Sequence, residues 1–104
     1  MRNAWQILRD AGLPVAAERS AHTVDTHELA AATRDAIAEE PTGRDAEALG
    51  AFVFAWQQHW PAAFSAAFAG DEPTLLAWAA RQLPDDNRYL KLRRIAIANL
   101  AHVL

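Results

Sequence analysis

The sequence predicts an all-α fold, a compact bundle of five to six short helices within one domain that spans residues 1–104. Alanine, which has the strongest helix propensity, supplies about a quarter of the chain, whereas valine, isoleucine and threonine are sparse. No stretch of useful length shows the alternation of a half-buried strand. Clusters of proline, glycine and aspartate divide the chain into separate helices.

The first predicted helix begins at Asn3, a favoured N-cap residue, and ends at Ala11, before Gly12 and Pro14. Residues 13–24 are expected to form a loop or a loosely helical connection. A capping signal and a turn follow, and they define the next two helices.

Asp25 is the expected N-cap of the second helix, and Glu28 stands where a capping box places its acid. This helix extends to about Glu40, before a proline-containing turn. Thr42 then precedes a third helix over residues 44–60.

Proline and aspartate define the remaining boundaries. Pro61 disfavours helical geometry at the residue before it, so we expect a break and then a short helix over residues 62–69. Asp71 is the expected cap of a fifth helix. The Pro-Asp-Asp turn at residues 84–86 caps a last helix over 87–104, and these two helices form a C-terminal helical hairpin.

One face of the third helix is expected to form the core, because large apolar residues recur there at helical spacing. The residues on this face are Ala48, Leu49, Phe52, Val53, Trp56 and Trp60. Phe64 and Phe68 follow four residues apart and would close over it. Phe54 falls on the opposite side, where it is either a surface or second-layer residue or an anchor for a partner.

The last helix has an apolar face that is too wide to stay in water, so either its own domain or a partner must cover it. This face consists of Tyr89, Leu90, Leu92, Ala96, Ile97, Leu100, Ala101, Val103 and Leu104. Arg93 falls among them, and an unpaired buried guanidinium is costly. It is expected to pair either with an acid of the first half, such as Glu39, Glu40 or Glu47, or with a partner's carboxylate or phosphate.

These features favour a non-enzymatic protein–protein interaction module, such as an adaptor, an inhibitor or a small subunit of a larger assembly. The amphipathic last helix would contact either another protein or a second copy of the chain. The residues expected to bind the partner are Phe54, Arg93, Ile97, Leu100 and Leu104.

Charge is distributed unevenly along the chain, whose formal net charge is −3. Residues 1–50 hold nine acids against five arginines, whereas residues 81–104 hold five basic residues against two acids. The basic residues Arg81, Arg88, Lys91 and Arg94 suggest an alternative, a nucleic-acid-associated subunit that contacts phosphates. The acidic balance of the whole chain disfavours this alternative.

Sequence motifs of catalysis are missing. The chain has no cysteine, no phosphate-binding glycine motif and no serine in a nucleophile turn. His22, Asp25 and His27 could supply metal ligands, and hence a metal-dependent enzyme, but their spacing matches no helical face and Asp25 already has a capping role. We therefore expect no catalytic residue, no metal and no cofactor. The sequence also lacks a signal peptide and a long apolar run, which favours a cytoplasmic protein without a membrane span.

Overall fold

The computed structural model describes residues 3–11, 13 and 24–104, and this part of the chain is helical without any strand. The prediction of an all-α bundle is therefore confirmed. The helices are α1 (Ala4–Asp10), α2 (Thr26–Ala38), α3 (Gly43–His59), α4 (Pro61–Ala67), α5 (Glu72–Gln82) and α6 (Asp86–Leu100).

Three helices begin at the predicted cap residues. Asn3 accepts a hydrogen bond from the backbone nitrogen of Gln6 at 2.9 Å, and the Gln6 side chain accepts one from the Asn3 backbone at 2.8 Å. Asp25 and Asp85 likewise accept from the backbone nitrogens three residues later, at 2.7 and 3.2 Å. Each bond satisfies an amide that the helix itself leaves without an acceptor.

Asp71 is the N-cap residue of α5, as predicted, but its side chain makes no capping bond to the start of the helix. Its carboxylate is bound by Arg34 instead. Helix α5 begins with a proline in its first turn, where the missing amide hydrogen costs nothing.

The predicted break between α3 and α4 lies at Trp60, whose backbone is not helical (φ −133°, ψ 62°). Pro61 then occupies the first turn of α4. The Trp60 nitrogen donates to Trp56 and its carbonyl accepts from Phe64, both at 2.9 Å. These two bonds flank the junction, but Pro61 has no amide hydrogen, so the helical hydrogen-bond ladder is broken there and the chain bends at Trp60.

Helix α3 is the centre of the fold and packs against α4, α5 and α6, while α2 packs against α1 and α4. Trp56 lies at the middle of the core, with its ring 6.4 Å from Phe52, 5.8 Å from Phe64 and 5.0 Å from Phe68. All three pairs are edge-to-face, the arrangement that aromatic quadrupoles favour. Trp60, predicted on the same face, lies half-buried at its periphery.

Helices α5 and α6 are joined by three residues, 83–85, and each makes its main contacts with α3. Gly50 allows α5 to approach closely. A Cβ atom at this position would lie 2.9 Å from the carbonyl oxygen of Ala79 and 3.0 Å from the Cβ of Gln82.

Candidate interaction surface

The wide apolar face of α6 divides into a buried part and an exposed part. Ala96 and Leu100 are fully buried in the core. Leu90 lies at the other end of the face, and 52% of its surface is accessible. No other large apolar side chain in the described part of the chain is as exposed to water.

We define the outer edge of α6 as Leu90, Arg94, Ile97 and Ala101. These residues are spaced by four, three and four positions, so they lie along one line of the helix surface. Ile97 is half-buried, and the other three are exposed. Lys91 is exposed beside this line. The edge therefore combines apolar residues with positive charge.

Leu100 was predicted to bind the partner, and the structure places it inside the subunit with none of its surface exposed. Leu100 lies four residues after Ala96, so both are on the side of α6 that packs into the core. Leu104 and Ile97 occupy an intermediate position, where they pack against the core and keep some exposed surface.

Phe54 is half-buried and packs against the core, although the helical pattern places it on the side of α3 opposite to Trp56. It thus takes the place of a second packing layer. Phe54 keeps some exposed surface, as Ile97 does, but it lies on α3 and so does not belong to the outer edge of α6.

Arg93 contacts the end of α3. Its Nε donates to Oε1 of Gln58 at 3.2 Å, and its Nη2 lies 3.3 Å from Nε2 of His59. The hydroxyl of Tyr89 donates to the same Gln58 oxygen at 3.4 Å. In the described part of the chain Arg93 thus contacts an amide and an imidazole, and the predicted pairing with Glu39, Glu40 or Glu47 is wrong.

Glu47 is bound by Arg88, whose Nη2 lies 2.8 Å from its Oε1. Arg88 also lies 3.8 Å from the Asp85 carboxylate. These contacts border a groove of about 680 Å³ between the start of α3 and α6, with Leu92 and Ile95 among its lining residues. The groove carries both signs of charge, since Arg44, Lys91 and Asp45 also line it.

The structure does not bring the four predicted phosphate-binding residues onto one surface. Arg88 and Lys91 line the groove beside α3, and Arg94 lies on the outer edge of α6. Arg81 lines a different groove of about 360 Å³ between α2 and α5, next to Ile37 and Trp78.

An ion pair between Arg34 and Asp71 was not anticipated from the sequence. The two side chains form a bidentate pair, with Nε–Oδ2 and Nη2–Oδ1 distances of 2.8 and 2.9 Å. Arg34 also donates to the carbonyl oxygen of Ala67 at 3.1 Å and lies over the Phe68 ring, 5.0 Å from its centroid. The hydrogen bond from Arg34 lowers the pKa of Asp71, and the same bond raises the pKa of Arg34. This pair holds α2 against the α4–α5 turn and has a structural role.

The hypothesis of a metal site at His22, Asp25 and His27 depends on a residue, His22, that lies outside the described residues. Asp25 caps α2, and His27 is exposed in its first turn. Within residues 3–11, 13 and 24–104, no group of three or more histidine, aspartate or glutamate side chains is placed to hold a metal ion.

Helices long and apolar enough to cross a membrane are not found in the described part of the chain. Comparisons with protein-family models, with curated proteins and with solved structures found no match to this chain.

Proposed function

We propose that this chain is a non-enzymatic protein–protein interaction module and that the outer edge of α6 is its contact surface. The observation that carries the proposal is the exposure of Leu90, about half of whose surface is accessible to water near the start of α6. Ile97 and Leu104 extend the apolar surface towards the end of the helix. Interfaces commonly combine an apolar centre with a polar rim, and Leu90 and Ile97 beside Lys91 and Arg94 have that composition.

The role of Arg93 supports the same surface. Its guanidinium is held at the end of α3 by Gln58 and His59, so its position is fixed before any partner binds. A preorganised arginine loses less conformational entropy on binding than a free one. Arg93 is therefore positioned to contact a carboxylate beside the outer edge.

The test is site-specific photo-crosslinking in the cells that naturally produce the protein. A photoreactive benzophenone amino acid replaces Leu90, and in a matched control it replaces Ala31, an exposed residue of α2. We expect a covalent adduct from position 90 and none from position 31. The absence of an adduct at position 90, with the variant folded by circular dichroism, would contradict the proposal.

Sensitivity of the adduct to nuclease distinguishes a nucleic-acid partner from a protein partner. If Arg88, Lys91 and Arg94 contact phosphates, digestion of the lysate with nuclease should remove the adduct or reduce it to a nucleotide-sized mass. A protein partner leaves the adduct unchanged. Arg88 is already paired with Glu47, which reduces the charge that this helix can offer to a phosphate chain.

A further inference from the structure

We infer that the partner of the outer edge of α6 is another protein that presents an acidic amphipathic helix. This inference rests on the proposed function and identifies the chemistry of the partner. It depends on three properties of α6: the sign of its charge, the length of its apolar line, and the position of its arginines relative to that line.

The positive charge of α6 favours a partner that carries carboxylates. Residues 86–104, which comprise α6 and the end of the chain, contain four arginine or lysine residues and one acid, Asp86, at the first position of the helix. Arg88 already forms an ion pair with Glu47, whereas Arg93 contacts only Gln58 and His59 in the described part of the chain. Lys91 and Arg94 are exposed beside Leu90. A partner that covers Leu90 brings its own side chains against these cations, and acids are the complementary choice.

The length of the outer edge fits a helix. Leu90 and Ile97 are separated by seven residues, or about 10 Å along the axis, and Ala101 extends the line to about 16 Å. Alanines at 98 and 101 leave the surface low enough for a second helix to approach. A partner helix of three turns with apolar residues at every third or fourth position would match this line, with acids on its flanks.

A second copy of the chain fits less well. In a symmetric pair, Leu90 of one copy would pack on Ile97 of the other, and the residues midway between them would lie next to the symmetry axis. Those residues are Arg93 and Arg94. Two copies would therefore bring four guanidinium groups together near the axis, whereas Asp86, the acid of α6, lies about 11 Å away along the helix. Like charges across an interface oppose association.

The experiment uses the crosslinker at position 90 in three backgrounds. The first keeps the native charges, the second carries Lys91→Glu and Arg94→Glu, and the third carries the charge-conserving changes Lys91→Arg and Arg94→Lys. We expect the adduct to persist in the first and third backgrounds and to fall by about tenfold or more in the second. Both positions are exposed, so circular dichroism should show the same helicity in all three.

Mass spectrometry of the crosslinked peptide provides an independent readout. We expect a segment of another protein with more acidic than basic residues and with apolar residues at helical spacing. A neutral or basic segment, an adduct that survives charge reversal undiminished, an adduct of two copies of this chain, or a nucleotide adduct would each overturn the inference. The first two outcomes leave the proposed function standing, whereas a folded protein with no adduct at position 90 would overturn the proposed function itself.

Discussion

Leu90 and Leu100 show how differently one helix can use the same residue type. They lie ten residues apart, which turns them by about 80° relative to each other around the axis of α6. Leu100 is fully buried against the core, and Leu90 is 52% exposed. The first therefore contributes to folding, and the second is free to contribute to binding.

Truncation of the two leucines should separate these contributions. We expect Leu100→Ala to lower the free energy of unfolding by about 2–5 kcal/mol, because it leaves a cavity in the core. Leu90→Ala should change it by no more than about 0.5 kcal/mol, because its side chain is half in water. Urea unfolding followed by circular dichroism measures both. Equal losses in the two variants would mean that α6 does not lie on α3 as described.

Gly50 is a second residue whose role follows from its surroundings. Its hydrogen atom faces the α5 backbone, where a methyl group would lie 2.9 Å from the Ala79 oxygen. We expect Gly50→Ala to destabilise the protein by about 1–3 kcal/mol, because α3 and α5 must move apart. Thermal or urea unfolding would measure the loss.

The control for Gly50 is Ala98→Gly on the exposed side of α6. Alanine is the better helix former, and this control should lose about 0.5–1 kcal/mol for that reason alone. Helix propensity thus predicts a gain from Gly50→Ala, whereas the packing predicts a loss. An increase in stability would show that the two helices are not in close contact at this position.

At the scale of the elements, Arg34 and Asp71 connect α2 to the turn before α5. The side chains are 42% and 41% exposed, so water screens the pair and its contribution is limited to about 1 kcal/mol. Arg34 also contacts Ala67 and Phe68, which lie in α4 and at its end. One arginine therefore fixes the position of α2 relative to two successive elements.

This pair gives the stability a defined pH dependence. The pKa of Asp71 is lowered below its ordinary value of 3.8, so its contribution is present above that pH and is lost as the pH falls through the folded-state pKa. We expect Asp71→Asn to lower the free energy of unfolding at pH 7 by up to about 1 kcal/mol. The difference from the wild type should shrink below pH 3.8, as measured by urea unfolding across the pH range.

Asp35→Asn serves as the control for that series, since it removes an exposed carboxylate from α2 without breaking the bridge. It should cost less at pH 7 than Asp71→Asn does. If the two variants were equally stable at every pH, the bridge would contribute nothing to the folded state.

Local chemistry explains which helix boundaries could be predicted from the sequence. The caps at Asn3 and Asp25 and the break before Pro61 each depend on residues within four positions, and all three were predicted at these residues. The cap at Asp85 lies within the Pro-Asp-Asp turn that was predicted to cap the last helix. Asp71 has the same local signature, but Arg34 is 37 residues away and competes for its carboxylate. Periodicity carries no information about such pairs.

The candidate surface was predicted only in part, for the same reason. The amphipathic pattern identified α6 as the helix with apolar surface to cover, but its apolar arc is wider than the contact with α3. Which edge remains outside depends on the rotation of α6 about its axis, and this rotation placed Leu100 inside and Leu90 outside. The partners of Arg93, at the far end of α3, depend on the same rotation.

At the scale of the whole molecule, α3 is the element on which the others depend. It packs against α4, α5 and α6, whereas the main contacts of α1 are with α2. The buried residues of α3 run along nearly the whole helix and include Leu49, Phe52, Val53 and Trp56. The stability of the fold should therefore be graded from α3 outwards.

Native-state hydrogen exchange should show this gradient. We expect the amides of α3 to exchange slowest, through global unfolding, and those of α1 to exchange faster, through local separation from α2. Amide exchange followed by NMR would measure both. Equal protection of α1 and α3 would indicate that the six helices open only as one unit.

The indole of Trp56 gives this core a spectroscopic reporter of its own. Its ring is fully buried among three phenylalanine rings, and its Nε1 atom has no hydrogen-bond acceptor in the described part of the chain. Water dipoles cannot reorient around an excited indole in such surroundings, so the indole emits at short wavelength. The other three tryptophans are half-buried, and replacing them with phenylalanine would leave one emitter at the centre of the molecule. The emission wavelength of Trp56 would then distinguish the entry of water into the core from changes confined to the periphery.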